Sequence, residues 1–304
     1  MSSLAEHVDD YLRVRRALGF KLERHGRILP QLVAYLEAAG ASTVTRELAI
    51  SWARLPATAH PRHWAARLAI ARGFAAYLQT TEVPPAGVFA VRYQRPVPYL
   101  WSDADIRRLL VAARALRPPL KAASHEALFG LLAVTGMRVG EAVALEIDDV
   151  DLHDGVIAIG EQIAKLERAR LLPLHSTTVD ALKRYGAARA RLCPQPRSTA
   201  FFLSAAGTAL ERSAVSKTLR TITIALGLRT ETVHPRTHDL RHSFAVDTLI
   251  GWQRSGVRID EQIAVLSTYL GHVSPADTYW YLTATPELMG LAGQRLEPRF
   301  GGRS

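Results

Sequence analysis

Apolar residues recur three and four positions apart through the first eighty residues of the chain. This is the spacing of helices that bury one face. Ser3 and Glu6 stand at the separation of a capping box, just before the apolar positions Val8, Leu12 and Leu18. The chain is therefore predicted to open with a helix.

Three more helices are predicted in the same segment. One passes through Ile28 to Leu36 and stops at Gly40, and the next covers Arg46 to Leu55. The fourth presents five apolar residues on one face, namely Trp64, Leu68, Ala71, Phe74 and Leu78. Together these elements predict a helical domain.

The helical pattern breaks at VPPAGVFAVRYQRPVPYL, residues 83–100, which contains four prolines. This composition is typical of an extended connection. A chain of 304 residues has room for two domains. We expect a helical domain over residues 1–90, a linker over 91–99, and a second domain with a C-terminal tail over 100–304.

The second domain is predicted to be mainly α-helical with a small antiparallel sheet. Its first helix follows another capping-box spacing, Ser102 and Asp105. Within the apolar run ALFGLLAVTGMRVGEAVAL, Gly136 predicts a helix stop and Val139 to Leu145 a new helix. Arg138 then lies at the corner, close to the backbone N–H groups of a helix start, where a phosphate can be held.

Two short apolar segments, Val156–Ile159 and Leu171–Leu174, predict the strands of the sheet, with Lys165 near the turn between them. Helices are predicted again in HDLRHSFAVDTLI, EQIAVLSTYLGH and ADTYWYL. The fold class expected for the whole chain is therefore mainly α with a small antiparallel sheet.

Charge adds a candidate partner. The net charge is +10 and the sequence pI is about 10.1, and a chain this basic commonly binds a polyanion such as nucleic acid. Residues 1–95 carry 13 Lys and Arg against 7 Asp and Glu, and the other 209 residues carry 25 against 21. The first domain can therefore be a DNA clamp. The alternative is that its arginines lie on solvated helix faces of an ordinary basic protein.

Cysteine usage and hydropathy indicate the compartment. A single cysteine, Cys193, allows no internal disulfide and suits a reducing cytoplasm. No apolar run approaches ~18 residues, so no membrane span is predicted. The polar N-terminus does not have the pattern of a secretory signal.

The segment HDLRH is ambiguous by itself. His238 and Arg241 are three residues apart and His242 follows, so the three side chains lie near one helix face. Two histidines at this spacing can chelate zinc, but the glutamate of that motif is replaced by Asp239, and Arg241 opposes a cation. A helix with polar residues on its exposed face is the simpler interpretation.

The ordered set of motifs decides between these interpretations. TGMRVGEAVAL, a lysine on a hairpin, HDLRHSFA, YLGH, and a tyrosine nine residues later resemble the tyrosine recombinase (phage integrase) family. Residues 1–90 resemble its helical, SAM-like core-binding domain, and residues 100–304 its catalytic domain. DTYWYLTATPELM most resembles members encoded by transposons and related mobile elements.

The resemblance implies six catalytic residues, namely Arg138, Lys165, His238, Arg241, His272 and Tyr281. Lys165 matches the hairpin lysine because it lies eight residues before Pro173, with Arg168 and Arg170 as alternatives. The hairpin departs from many relatives in having Leu166 where they have glycine. Glu141 matches an acidic residue that orients the first arginine.

Two tyrosines compete for the role of nucleophile in ADTYWYL. Tyr281 is in register, nine residues after His272, and Tyr279 is not. On a helix the two phenols point about 200° apart, so only one can face a bound phosphate. We expect Tyr281 to attack, with Tyr279 and Trp280 as packing or surface residues.

The activity implied is site-specific recombination through a 3′-phosphotyrosyl intermediate. Free tyrosine has a pKa near ~10, so attack on a phosphodiester requires proton removal and charge neutralisation. The resemblance implies Arg138 and Arg241 as ligands of the non-bridging oxygens, with His272 as a further donor. It implies His238 as the general base and Lys165 as the general acid, with no metal or other cofactor.

The resemblance also implies the assembly. Four protomers would act on two double-stranded DNA sites, with or without other recombinases of the same element, in the cytoplasm at the nucleoid. The tail TPELMGLAGQRLEPRFGGRS would pass a helix to a neighbouring subunit through Leu288, Leu291 and Leu296, the alternative being an ordinary frayed terminus. Two other functions stay open: a DNA-binding relative without cleavage activity, and a type IB topoisomerase.

Overall fold

The computed structural model describes residues 3–80, 82–89, 97–164, 169–274 and 276–282. It divides the chain into two compact units, Met1–Arg95 and Pro96–Ser304. The division falls within residues 91–99, the segment interpreted as a linker, most of which lies outside the described residues.

The described residues of the first unit form four helices, as the apolar spacing predicts: α1 (Leu4–Ala17), α2 (Glu23–Ala38), α3 (Arg46–Ala53) and α4 (Pro61–Tyr77). The predicted capping box is present, because the Ser3 amide donates to Glu6 Oε2 at 2.9 Å and the Glu6 amide donates to Ser3 Oγ at 3.2 Å. The helices share one apolar core that includes Leu32, Trp52 and Phe74.

One arginine of this unit belongs to the core. Arg67 is 6% exposed, and its guanidinium lies 3.9 Å from the ring centroid of Trp52. Its Nη2 donates to the Trp52 carbonyl at 3.2 Å. A cation over an indole face is stabilised by the ring quadrupole. Arg67 therefore packs the helices together and is not on a face that could meet a phosphate.

Within the described residues, the second unit is built from nine α-helices, one short 3-10 helix (Ile147–Asp149) and one sheet. The helices are α5 (Asp103–Arg114), α6 (Pro119–Thr135), α7 (Val139–Ala142), α8 (Glu161–Ala164), α9 (Ser176–Leu192), α10 (Arg212–Ala225), α11 (Thr237–Arg254), α12 (Ile259–Leu270) and α13 (Ala276–Leu282). None of the helices in the described part of the chain is long and apolar enough to cross a membrane.

The sheet has three antiparallel strands in the order β1 (Val150–Asp151), β2 (Val156–Ile159) and β3 (Arg170–Pro173). This confirms the predicted fold class of a mainly α protein with a small antiparallel sheet. The last strand begins and ends one residue earlier than predicted. The helix predicted over Val139 to Leu145 is shorter, because α7 ends at Ala142 after a single turn.

Two apolar clusters position the elements of this unit. The larger one centres on α6, whose Leu128, Phe129 and Leu132 are buried where α6 packs against α5, α9 and α11. The smaller one joins α11, α12 and α13 and includes Leu266 and Tyr281. The second cluster therefore fixes α13 against the two helices before it.

The α6–α7 corner depends on Gly136, as the sequence predicts. Gly136 has φ 62°, in the left-handed region that favours glycine, and a Cβ at this position would overlap the ring of Phe244. We expect Gly136→Ala to lower the free energy of unfolding by about 1–3 kcal/mol, because strain and steric overlap act together. Urea titration of wild type and variant measures this difference.

Gly251 provides the matched control for that experiment. It lies within α11, and a Cβ there would meet no atom within 4 Å. Since alanine favours a helix over glycine by about 1 kcal/mol, Gly251→Ala should leave the stability unchanged or raise it. If Gly136→Ala and Gly251→Ala lowered the free energy of unfolding equally, the α6–α7 corner would not depend on glycine at position 136.

Candidate active site

The α6–α7 corner, the first turns of α11 and the end of α12 meet around one guanidinium. Arg241, on α11, is 1% exposed. Its Nη1 donates to the Gly136 carbonyl at 3.0 Å and its Nη2 to the Leu270 carbonyl at 2.9 Å. These carbonyls end α6 and α12, so one arginine joins three helices and is itself held in a fixed orientation.

Arg138 lies beside it. Its Nη1 is 3.4 Å from the Leu270 carbonyl and 3.5 Å from the Gly271 carbonyl, so both arginines share the C-terminal end of α12. Burial first, and then the positive charge of Arg138, lower the pKa of Arg241 to about 10. Two neighbouring guanidiniums in a partly buried site favour an anion with two acceptor oxygens.

Glu141 holds Arg138 from the other side. The Arg138 amide donates to Glu141 Oε2 at 2.9 Å, and Arg138 Nη1 lies 3.3 Å from Glu141 Oε1. Arg170 binds both oxygens of the same carboxylate, at 3.2 and 2.9 Å, and its Nε donates to the Tyr269 carbonyl at 2.8 Å. Arg170, an alternative to Lys165 on sequence, is thus a buried ion-pair partner within the scaffold of the site.

We expect Glu141→Gln to lower the free energy of unfolding by about 3 kcal/mol at pH 7. The pair is buried on both sides, with side-chain exposures of 6% for Arg170 and 5% for Glu141. Removing one partner of a buried pair leaves the other charge uncompensated, which typically costs about 3–5 kcal/mol. Guanidinium chloride titration measures the loss, and Glu126→Gln, at an exposed pair with Arg114, should change stability by less than about 1 kcal/mol.

The stability difference between wild type and Glu141→Gln should depend on pH. Burial by itself raises the pKa of Glu141, but its bonds with Arg170 and Arg138 outweigh burial and lower the pKa below its ordinary 4.5. A lowered folded-state pKa stabilises the protein above 4.5, and this stabilisation is lost as the pH falls through the folded value. The difference between wild type and Glu141→Gln should therefore shrink below pH 4.5. A constant difference down to pH 3 would contradict the ion pair.

His238 lies on α11, three residues before Arg241. It retains exposed surface, yet the surrounding protein lowers its pKa to about 4, through desolvation first and then through the charge of Arg241. The ring is therefore neutral at pH 7 and can accept a proton. A bound phosphodiester would offset the guanidinium charges and make His238 more basic.

His272 follows α12 and is partly buried. Desolvation lowers its pKa to about 3, with further contributions from Arg241 and Arg138, so its imidazole is neutral. Its Nδ1 lies 2.7 Å from the hydroxyl of Thr278, on α13. Thr278 is fully buried, and the sequence motifs do not identify it.

The two tyrosines of α13 differ sharply in exposure. Tyr281 is 3% exposed, whereas Tyr279 is 49% exposed. The Tyr281 hydroxyl forms a hydrogen bond with the Arg241 side chain, and this bond acts to raise the pKa of Arg241. The phenol therefore lies against that guanidinium. The Tyr281 ring stacks on His272 with centroids 6.0 Å apart. Tyr281 therefore points into the site, and Tyr279 points away from it.

His242 is explained by packing. It is 1% exposed, its ring lies 4.6 Å from Trp280 and 4.8 Å from Tyr281, and both of its ring nitrogens lack hydrogen-bond partners. Of the two roles that the sequence leaves open for Trp280, packing or surface, the contact with His242 favours packing. Across the described ranges, no group of three or more His, Cys, Asp or Glu side chains is arranged to hold a metal ion.

Five of the six predicted catalytic residues meet at one place: Arg138, His238, Arg241, His272 and Tyr281. Lys165, its alternative Arg168 and the tail with Leu288, Leu291 and Leu296 lie outside the described residues. Sequence reasoning missed Thr278 and the scaffold role of Arg170. The signal available for Thr278 is its position one helical turn before Tyr281.

Comparison with known proteins gives consistent relationships. Residues 102–287 match the phage integrase family. The chain is 41% identical to the protein named integrase/recombinase y4rB in Sinorhizobium fredii, and the match covers all of both chains. It is 27% identical to tyrosine recombinase XerD of Listeria monocytogenes, over 98% of this chain and all of the other. It shares its fold with the Tn1549 transposon integrase solved with circular intermediate DNA, with a TM-score of 0.64 and 16% identity over 97% of this chain and all of that one.

Proposed function

This chain belongs to the phage integrase family of tyrosine-type site-specific recombinases, and from that premise we propose that it cleaves and rejoins DNA through a 3′-phosphotyrosyl intermediate in the movement of a mobile element. The mobile-element context is supported by its likeness to the integrase of a transposon. The sequence motif DTYWYLTATPELM favours the same context.

The proposal rests on one observation, the position of a buried tyrosine beside two arginines. The buried phenol of Tyr281 lies against the Arg241 guanidinium, and Arg138 shares the Leu270 carbonyl with Arg241. A nucleophile beside two fixed cations is suited to attack on a phosphodiester, where negative charge grows on the non-bridging oxygens. Tyr279, exposed on the same helix, has no such surroundings.

The proposed reaction assigns a role to each of these groups. Arg138 and Arg241 bind the non-bridging oxygens, and the neutral His272 donates a further hydrogen bond. The Tyr281 oxygen forms a bond to phosphorus while the bond from phosphorus to the 5′ oxygen breaks. The DNA strand stays attached through its 3′ phosphate, so the bond energy is kept and a second 5′ hydroxyl can reverse the step.

Two groups transfer the protons. His238, neutral at pH 7 because its pKa is lowered to about 4, accepts the phenol proton as a phosphate bound to the guanidiniums raises its basicity. Lys165 is assigned to protonate the departing 5′ oxygen, on the basis of its match to the hairpin lysine of the family.

The partner proposed is double-stranded DNA. A net charge of +10 supports it, and the charge is proportionally greater over residues 1–95, the helical unit assigned to core binding. We assign the working assembly as four protomers on two DNA sites, with the tail after residue 282 exchanged between subunits. Membership of the family supports this proposed assembly.

A nicked duplex from the ends of the encoding element tests the proposal. Cleavage beside a nick releases a short strand, so a covalent adduct accumulates and is seen as a band that resists SDS. An adduct together with joined strands from two duplexes supports recombination. Plasmid relaxation without junctions would indicate a topoisomerase, and DNA binding without any adduct, on a panel of candidate end sequences, would favour a relative without cleavage activity.

A further inference from the structure

The nucleophile helix carries a second polar group directed at the site. Thr278 lies on α13, three residues before Tyr281, and is fully buried. Its hydroxyl is 2.7 Å from Nδ1 of His272, a short hydrogen bond between a side chain on α13 and one in the segment that precedes it. This bond joins α13 to the residue that follows α12.

The direction of this hydrogen bond decides what His272 can do. The imidazole is neutral, so one ring nitrogen carries a proton and the other accepts. If the Thr278 hydroxyl donates to Nδ1, the proton is on Nε2, and Nε2 is a donor. If Nδ1 donates to Thr278, Nε2 presents a lone pair, which a phosphate oxygen repels. The bond that one ring nitrogen makes therefore sets the role of the other.

The surroundings favour the first arrangement. Arg241 and Arg138 lie close enough to His272 to lower its pKa, and the ring stacks on Tyr281. An anion held by those guanidiniums would stabilise a donor at Nε2 over a lone pair. The Thr278 hydroxyl can either donate or accept a hydrogen bond, so it can donate to Nδ1 of His272 without moving.

We propose that Thr278 is a positioning residue that holds His272 in the Nε2–H tautomer, so that docking of α13 delivers the nucleophile and prepares a phosphate donor in one event. This proposal rests on the proposed function, because it assigns His272 to the phosphate. Since Thr278 and Tyr281 are one turn apart on the same helix, a protomer with α13 displaced lacks both groups at once.

Thr278→Val and Thr278→Ser test the hydroxyl. Valine keeps the shape and removes the donor, and serine restores it. Thr248→Val is the matched control, because the Thr248 hydroxyl donates to the Phe244 carbonyl of its own helix, at 2.8 Å. Circular dichroism and thermal unfolding first establish that each variant is folded.

The first readout does not require activity. Ring ¹⁵N chemical shifts distinguish protonated from unprotonated nitrogens, and a His272→Gln spectrum assigns the signal among the 11 histidines. We expect Nε2–H in wild type, Thr278→Ser and Thr248→Val, and Nδ1–H or a mixture in Thr278→Val. The wild-type tautomer in Thr278→Val, or Nδ1–H in wild type, would overturn the proposal.

The second readout is the single-turnover rate of adduct formation on the nicked duplex. Thr278→Val should be slower by about tenfold or more with unchanged DNA affinity, as for other groups that orient a site residue. Thr278→Ser should recover most of the rate. A serine variant as slow as valine would indicate packing rather than the hydroxyl and would refute the assignment. Absence of any wild-type adduct would instead count against the proposed function, while the tautomer spectra still decide the role of Thr278.

Discussion

Tyr281→Phe is expected to abolish the covalent protein–DNA adduct while leaving DNA binding intact. Phenylalanine keeps the ring that packs against His242 and His272 but has no oxygen to form the bond to phosphorus. The loss should therefore be complete within detection. The measurement is denaturing gel electrophoresis of the nicked duplex, with affinity measured separately by fluorescence anisotropy.

Tyr279→Phe is the matched control, since it removes the other phenol of the same helix. Tyr279 is 49% exposed, so the loss of its hydroxyl leaves the site unchanged, and adduct formation should continue at the wild-type rate. The reverse pattern, with adduct lost in Tyr279→Phe and kept in Tyr281→Phe, would show that the exposed tyrosine attacks.

Much of this site could be predicted from sequence because its residues occur in short, ordered motifs. Gly136 is predicted as a helix stop by its backbone freedom, and this places Arg138 at a corner. The spacing of His238 and Arg241 predicts a shared helix face. The register of Tyr281 to His272 distinguishes it from Tyr279, and burial separates the same two side chains.

Other features depend on tertiary contacts that no local pattern contains. Arg170 is one of several basic residues in the hairpin, and only the fold brings it to Glu141, 29 positions away. The sequence pattern shows Thr278 only as an ordinary helix residue, because its partner His272 lies outside that helix, in the segment after α12. His242 has the spacing of a zinc ligand, but burial against Trp280 gives it a packing role.

These contacts have a common consequence for the chemistry. Glu141 and Arg170 fix Arg138, the ends of α6 and α12 fix Arg241, and Thr278 fixes His272. Groups held before the substrate arrives need little reorganisation as charge develops, which is the main source of electrostatic catalysis. Changes to the supporting groups should therefore lower the cleavage rate more than they lower the affinity for DNA.

Among substitutions of the cationic residues, Arg241→Lys is the strongest test of the idea that groups fixed before DNA binds speed the cleavage step. The guanidinium makes two bonds to carbonyls, at 3.0 and 2.9 Å, and still has N–H groups for a phosphate. A lysine ammonium cannot span both carbonyls and also bind a phosphate oxygen, because it is a point donor on a flexible stem. Losing one fixed donor to a transition-state oxyanion typically costs about 10²–10³-fold in rate, and we expect a loss of this size in adduct formation.

In that experiment, an effect of the substitution on folding has to be distinguished from an effect on catalysis, and a general effect of replacing arginine has to be excluded by a control. Arg241→Lys removes the Nη1 bond to the Gly136 carbonyl, and a buried carbonyl that loses its partner destabilises the protein by about 1–3 kcal/mol, so thermal unfolding is measured for each variant. Arg138→Lys, at a side chain that is 28% exposed, tests the same chemistry with less effect on the core. Arg220→Lys, at an exposed position on α10, should keep the wild-type rate. Wild-type cleavage by folded Arg241→Lys and Arg138→Lys would mean that the phosphate is bound elsewhere, because both variants remove the fork geometry that the site offers to an anion.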